Sequence, residues 1–448
     1  MKRKQFIVGL MVALLALAPI QSVRAEEGIA IDKAHFPDEN FRTYVRMKFD
    51  TNRDGMLSEN EIAKIRSVKC SNEDIRSFAG MKYFTELQIL ECEENELTEL
   101  DVSKNTKLSI LMCGKNRLAK LDVRKNTKLK SLTCNDNQLT ELDVSRNEML
   151  GSLRCFGNKL AKLDVRKNME LQGLNCSENK LAKLDVSQNV ELLSLSCGGN
   201  NLTKLDVNEN AELESLYCGG NKLTELNVSK NTELKSLGCW NNCLTQLEVS
   251  RCTEMESLYC MDNNLTQLDV SKNLELEELE CAGNQLTELN VRGCLELEYL
   301  SCGRNQLTKL DISKNTELEE LYCGTNQLTK LNVSRNTELK ELLCNNNQLT
   351  KLDVSRNKNL EWMFCYKNKL KKLDLAKGNV GIIASSLSKY YSVKGDSCSK
   401  DYYCLKGNGG RHGKNLTITV ATKADQKKAK KALGYSDVQK AKVIVRKK

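Results

Sequence analysis

Residues 129–149 read LKSLTCNDNQLTELDVSRNEM, and the chain carries close variants of this sentence fourteen times. Cysteines stand at 92, 113, 134, 155, 176, 197, 218, 239, 260, 281, 302, 323, 344 and 365, a period of 21 throughout. Aligned on that cysteine the consensus is L-x-x-L-x-C-x-x-N-x-L-T-x-L-D-V-S-x-N-x-x, carried here by Leu129, Leu132, Cys134, Asn137, Leu139, Leu142, Val144 and Asn147. A fixed period of this length marks stacked coils that bury their apolar residues against one another.

Each repeat holds two similar halves, and in each the Leu-x-Cys or Leu-x-Val triplet alternates inward and outward as a short strand does. Neither half has room for a helix of several turns. The expectation is a flattened, mainly β solenoid with a parallel sheet on the cysteine side and a second strand-like face opposite. At about 4.8 Å per coil the thirteen intervals span roughly 60 Å. The asparagine three residues after each cysteine, Asn95 through Asn368, is read as a satisfier of turn backbone groups. A second asparagine column at 105, 126 and onward is replaced by Cys252, Cys294 and Gly378.

These residues resemble the 21-residue, cysteine-containing class of bacterial leucine-rich repeats, the internalin J-like arrays. The resemblance covers about Leu87 to Leu373 and implies a leucine-rich-repeat solenoid of about fourteen coils that binds partners at a cell surface and is not an enzyme. It also implies a helical cap of truncated EF-hand type ahead of the array.

The ends differ from the array. Residues 1–25 combine Lys2, Arg3 and Lys4, an apolar run from Phe6 to Ala18 and the small-residue pattern Val23-Arg24-Ala25, which is a secretory signal peptide. The expected organisation is this leader, a helical cap over 26–86, the solenoid over 87–378, and an α/β C-terminal cap with a basic tail over 379–448. The expected location is secreted or cell-surface, with no membrane span. Net charge is +9, and residues 423–448 hold ten Lys or Arg against Asp425 and Asp437. That tail is suited to contact with an anionic envelope, whereas the slightly acidic array argues against nucleic acid. It reads as strand 416–420, helix 425–433 and strand 442–445.

In the cap, DTNRDGMLSENE supplies Asp50, Asn52 and Asp54 at loop positions 1, 3 and 5, Gly55 at 6, the Met56 carbonyl at 7, Ser58 at 9 and Glu61 at 12. These are the ligand positions of an EF-hand loop, so a structural calcium is expected. Amphipathic helices are expected on either side, over 39–49 and 59–68. The array cysteines are read as a buried ladder of free thiols behaving as small hydrophobes, with Cys398 and Cys404 as candidates for a bridge.

Enzymatic readings are weak. The chain has two histidines, His35 and His412, and neither has a nucleophile partner in sequence. A polysaccharide-processing alternative would use Asp101, Asp122, Asp143, Asp164, Asp185 and Asp206, but identical carboxylates in every coil lack the separated pKa values that acid–base catalysis requires. Aromatic residues say more. Phe156, Tyr217, Trp240, Tyr259, Tyr299, Tyr322, Trp362, Phe364 and Tyr366 all lie within three residues of a ladder cysteine, and none lies on the opposite half-repeat. Alternation points those next to a cysteine outward, among small residues such as Gly198, Gly219 and Ala282. This pattern is what a recognition surface for a protein or glycan would use, with a structural envelope scaffold as the alternative.

Overall fold

The structure is a computed structural model that describes residues 28–375 apart from Tyr366, together with 417–420 and 442–445. The expected signal peptide at 1–25, the candidate bridge Cys398–Cys404, the expected helix 425–433 and most of the basic tail lie outside the described residues.

Every coil contributes one three-residue strand, and fifteen of these hydrogen-bond in parallel, from Ser67–Lys69 to Trp362–Phe364. Each residue pairs with the one 21 positions on, as Leu216 does with Leu237. The sheet has one rung more than the cysteine period predicts. Ser67 pairs with Ile89 and Val68 with Leu90, an offset of 22, so Cys70 joins the ladder out of period. This rung also ends the second helix early: it spans only Glu59–Ile62, because the chain must be extended by Ser67 to enter the sheet.

The core is the repeated leucine, cysteine and valine set. Leu129, Leu132, Cys134, Leu139 and Val144 are all 1% exposed or less, and a fully buried leucine side chain is worth about 2 kcal/mol. Burial also pushes the ladder thiols upward, Cys176 and Cys218 to about 12, so they stay protonated. Of the eighteen described cysteines only Cys243 is exposed.

Two asparagine columns stitch coil to coil. Asn221 donates through Nδ2 to the carbonyls of Cys197 (3.1 Å) and Cys218 (3.0 Å) and accepts the Leu202 N–H at 2.9 Å. These bonds hold the residue two after each cysteine in a left-handed conformation whatever its identity, as at Arg304 (φ 52°) and Thr325 (φ 56°). The second column differs. Asn231 Nδ2 donates to Val207 and Asn210 carbonyls at 3.0 and 2.7 Å, while its Oδ1 is buried without a partner. Cys252 and Cys294 substitute there because a thiol keeps one donor, 3.7 and 3.6 Å from the Val228 and Val270 carbonyls, and brings no orphaned acceptor.

The opposite face is extended but joined only by isolated bridges such as Asn227 to Glu248. It becomes a true sheet at the C-terminal end, where Lys351–Val354, Lys372–Leu375, Thr417–Val420 and Lys442–Val445 run parallel. At the other end the first coil is covered by the helix Glu39–Lys48, capped by Asp38, and by the fully buried Phe36, Phe41 and Phe84. Among the described residues no helix is long and apolar enough to cross a membrane.

Asn221→Ala should lower stability by about 2 kcal/mol or more, because it strands buried carbonyls and an N–H. Asn231→Cys should cost less than about 1 kcal/mol; thermal melts in which both cost the same would contradict the distinction between the columns. In a Cys398→Ser/Cys404→Ser background, native protein should show one reactive thiol, lost in Cys243→Ser, and denatured unreduced protein should show eighteen. A denatured count below ten would mean the ladder is bridged.

Candidate functional site

Strand alternation places three outward positions on each rung of the fifteen-stranded sheet: three before, one before and one after the cysteine. All eight described aromatic residues of the array occupy these positions, so they share one face; Tyr366 lies outside the described residues. They do not stand free in solvent. Only Trp362 is exposed, at 44%, and the other seven are half-buried.

The reason is visible at Trp240. Its indole lies down across the sheet over two glycines: a Cβ added at Gly219 or Gly238 would come within 2.4 and 2.3 Å of ring carbons. Tyr217 meets the indole edge-on at 6.3 Å between centroids and shares a 2.7 Å hydrogen bond with Ser236. Tyr299 and Tyr322 form a second edge-on pair at 5.4 Å. The small residues are thus partly covered by rings, and outward orientation does not mean absence from packing. Phe156 flanks a shallow depression lined by Arg154, Asn175 and Ser196.

The tyrosine hydroxyls are all engaged. Tyr259 donates to Glu278, and the Tyr322 hydroxyl lies 2.6 Å from a carboxylate oxygen of Glu320 and of Glu341, its single proton serving one of them at a time. Burial first, and then the carboxylate it bonds, push the Tyr259 hydroxyl up to about 12. Tyr322 is pushed far above the ordinary tyrosine range for the same reasons. These glutamates belong to the face as much as the rings do, and the aromatic pattern alone does not reveal them. Their signal in the sequence is position, since they occupy the same outward sites three before and one before the cysteine.

The cap loop is closed upon itself. Asp50 is buried and accepts the N–H groups of Asp54 (3.2 Å) and Gly55 (3.0 Å), while Gly55 takes the left-handed φ of 81° that such a loop needs at its sixth position. Asn52 and Asp54 bond one another at 2.8 Å, and Asp54 also accepts the Met56 N–H. Glu61 is 7% exposed. Burial would raise its pKa, but four hydrogen bonds from the N–H and hydroxyl groups of Thr51 and Ser58 hold it down at about 2. The two Ser58 contacts form part of the capping box that starts the second helix. Among the described residues no three His, Cys, Asp or Glu side chains converge as a metal site would. The six expected ligands are therefore neighbours in one loop, with Glu61 committed to its helix.

The aspartate row on the opposite half-repeat makes turns. Asp101, Asp122, Asp143, Asp164, Asp185 and Asp206 each accept the N–H two residues on, at 2.9 to 3.1 Å. Bonds from Arg124 and Arg166 hold Asp122 and Asp164 at about 2, and Asp101, Asp143 and Asp185 are lowered in the same way by their serine partners. None of these five is raised, as a general acid at neutral pH would have to be.

No protein-family model matches the chain. A stretch of 71 residues, 16% of the chain, is 37% identical to internalin J of Listeria monocytogenes and spans 8% of that protein's length. Among solved structures, the functional domain of InlJ from Listeria monocytogenes, described as including a cysteine ladder, superposes with a TM-score of 0.67 at 35% identity, covering 80% of this chain and 84% of that one. An internalin (InlF) of the same species, at 22% identity and a TM-score of 0.62, covers 79% of this chain and 99% of its own. A Leptospira interrogans leucine-rich-repeat protein, at 23% identity and 0.62, covers 69% and 92%. The last two share the fold.

Proposed function

This chain belongs to the internalin J-type family of cysteine-ladder leucine-rich-repeat proteins, and from that premise we propose that it is an exported, non-enzymatic binding protein whose recognition surface is the aromatic face of the long sheet. The carrying observation is segregation: every described aromatic of the array sits on the cysteine strands and none on the opposite half-repeat. Half-buried rings fixed against glycine and against each other offer rigid contact area at little further entropy cost, which suits a protein or glycan ligand. A plant receptor-kinase ectodomain solved in complex with Casparian strip integrity factor 2 and a plant peptide hormone receptor solved in complex with RGF2 share this fold, which supports protein binding. A structural envelope scaffold is the alternative, and the turn-forming aspartates give a polysaccharide-processing role no support.

We also propose that the loop Asp50, Asn52, Asp54, Met56, Ser58 and Glu61 takes one structural calcium. The donors are hard oxygens of the right kind and spacing. Two of them are buried carboxylates, and Glu61 would exchange its bonds to Thr51 and Ser58 for the ion. The ion's place is to rigidify the cap.

Glycan and protein arrays probed with the chain lacking its leader should yield a ligand, and the triple change Tyr217→Ala, Trp240→Ala, Tyr259→Ala should weaken it at least tenfold, since central anchors cost about 2 kcal/mol or more each. The triple variant should also melt measurably lower, because these rings pack on the sheet. Replacing Lys120, Lys162 and Lys204 on the opposite half-repeat should change neither. Loss of binding only in the lysine variant would place recognition on the other side, and no array ligand at all would favour the scaffold. Calorimetry should give one calcium site with a Kd of about 10⁻⁴ to 10⁻³ M, abolished by Glu61→Gln; no heat at millimolar calcium would sink the calcium proposal.

A further inference from the structure

On the N-terminal rungs the outward Glu91 is paired with Lys69 at 2.7 Å. Between the strands 257–259 and 341–343 this changes. The outward positions there interleave tyrosine with glutamate: Tyr259 bonds Glu278, the Tyr322 hydroxyl lies between Glu320 and Glu341, and Glu280 and Tyr299 stand on the rungs between. All four carboxylates are half-buried, and among the described residues no lysine or arginine forms an ion pair with any of them. The bonds between hydroxyls and carboxylates fix the rings but leave the negative charge uncancelled.

We propose that this tyrosine–glutamate strip is the docking surface for an extended, lysine- or arginine-rich segment of a protein partner. The proposal rests on the reading of the sheet face as the recognition surface and gives its partner a chemistry. Ammonium and guanidinium groups are the ligands that gain from both elements at once, pairing with the carboxylates and lying against the tyrosine rings. Desolvation pushes Glu280 upward as it stands, and a docked cation offsets that penalty. The rungs of Glu278 and Glu341 are three coils apart, about 14 Å, which four or five residues of extended chain span. An anionic polymer would be repelled, so an acidic glycan or nucleic acid does not fit this strip.

The test uses fluorescent nonamers of lysine, arginine and glutamate, with the chain lacking its leader, followed by anisotropy at two salt concentrations. The basic nonamers should bind, more weakly at high salt, and the glutamate nonamer should not. Changing Glu278, Glu280, Glu320 and Glu341 to Gln should weaken the basic peptides at least tenfold without moving the melting temperature far. A matched set on the opposite half-repeat, Asp206→Asn, Glu248→Gln, Asp269→Asn and Asp311→Asn, should not. If the quadruple variant fails to fold, Glu320→Gln/Glu341→Gln alone should still give a severalfold loss. Equal binding by the glutamine variant, or equal loss in the opposite-face set, overturns the inference. Tyr217→Ala/Trp240→Ala separates the two levels: if it loses an array-identified ligand that the glutamine variant still binds, the recognition face stands and the cationic partner does not. If neither variant matters, both fail.

Discussion

A side-chain amide that reaches into the neighbouring coil is the bond on which this architecture depends. A coil of 21 residues has too little regular structure to pair its own backbone, since three strand residues leave most N–H and C=O groups in turns. Buried turns of that kind cost free energy unless each polar group finds a partner. The inner asparagine supplies partners on both sides, taking an N–H from one coil and giving its own to carbonyls of two. Stacking and turn formation thereby become one event. The left-handed residue beside it is a consequence, adopted by Arg304 and Thr325 because the hydrogen bonds fix the path of the chain.

The second column shows what happens when the bargain is incomplete. From Asn105 to Asn336 its amides donate fully, but their buried oxygens have no partner. Two coils have escaped this by using cysteine, which donates weakly and accepts little. The ladder cysteines proper obey a different constraint, that of a small apolar side chain at a strand position where successive rungs superpose. With their pKa values raised by burial they remain inert thiols. The solenoid thus uses one residue type for two physical purposes.

The sheet face inherits its properties from the same stacking. Positions one coil apart lie side by side, so a tryptophan finds a glycine from the coil before it and a tyrosine finds a glutamate from the coil after it. These contacts are between residues about 20 apart in sequence, and they turn a scatter of outward side chains into two surfaces, one of rings on glycine and one of rings among carboxylates. The cap loop is shaped by the opposite situation. There the contacts are local, and Glu61 answers to its own helix start before anything else.

Periodicity by itself determined the solenoid, the direction of its strands, the burial of the cysteines and the face on which Phe156, Tyr217 and Trp240 lie, because inward and outward alternation is a property of the strand and repeats with the coil. Outside the array, the expected strands 416–420 and 442–445 appear as Thr417–Val420 and Lys442–Val445. Only the tertiary structure decided what a period cannot express. Cys70 enters the ladder at an offset of 22 because a sheet edge pairs with whatever extended segment reaches it. The helix after Ser58 stops at Ile62 for the same reason. The aromatic rings are half-buried and Glu278, Glu280, Glu320 and Glu341 become part of the site because a side chain's surroundings are set by its neighbours in adjacent coils, and those neighbours are defined only once the coils have stacked.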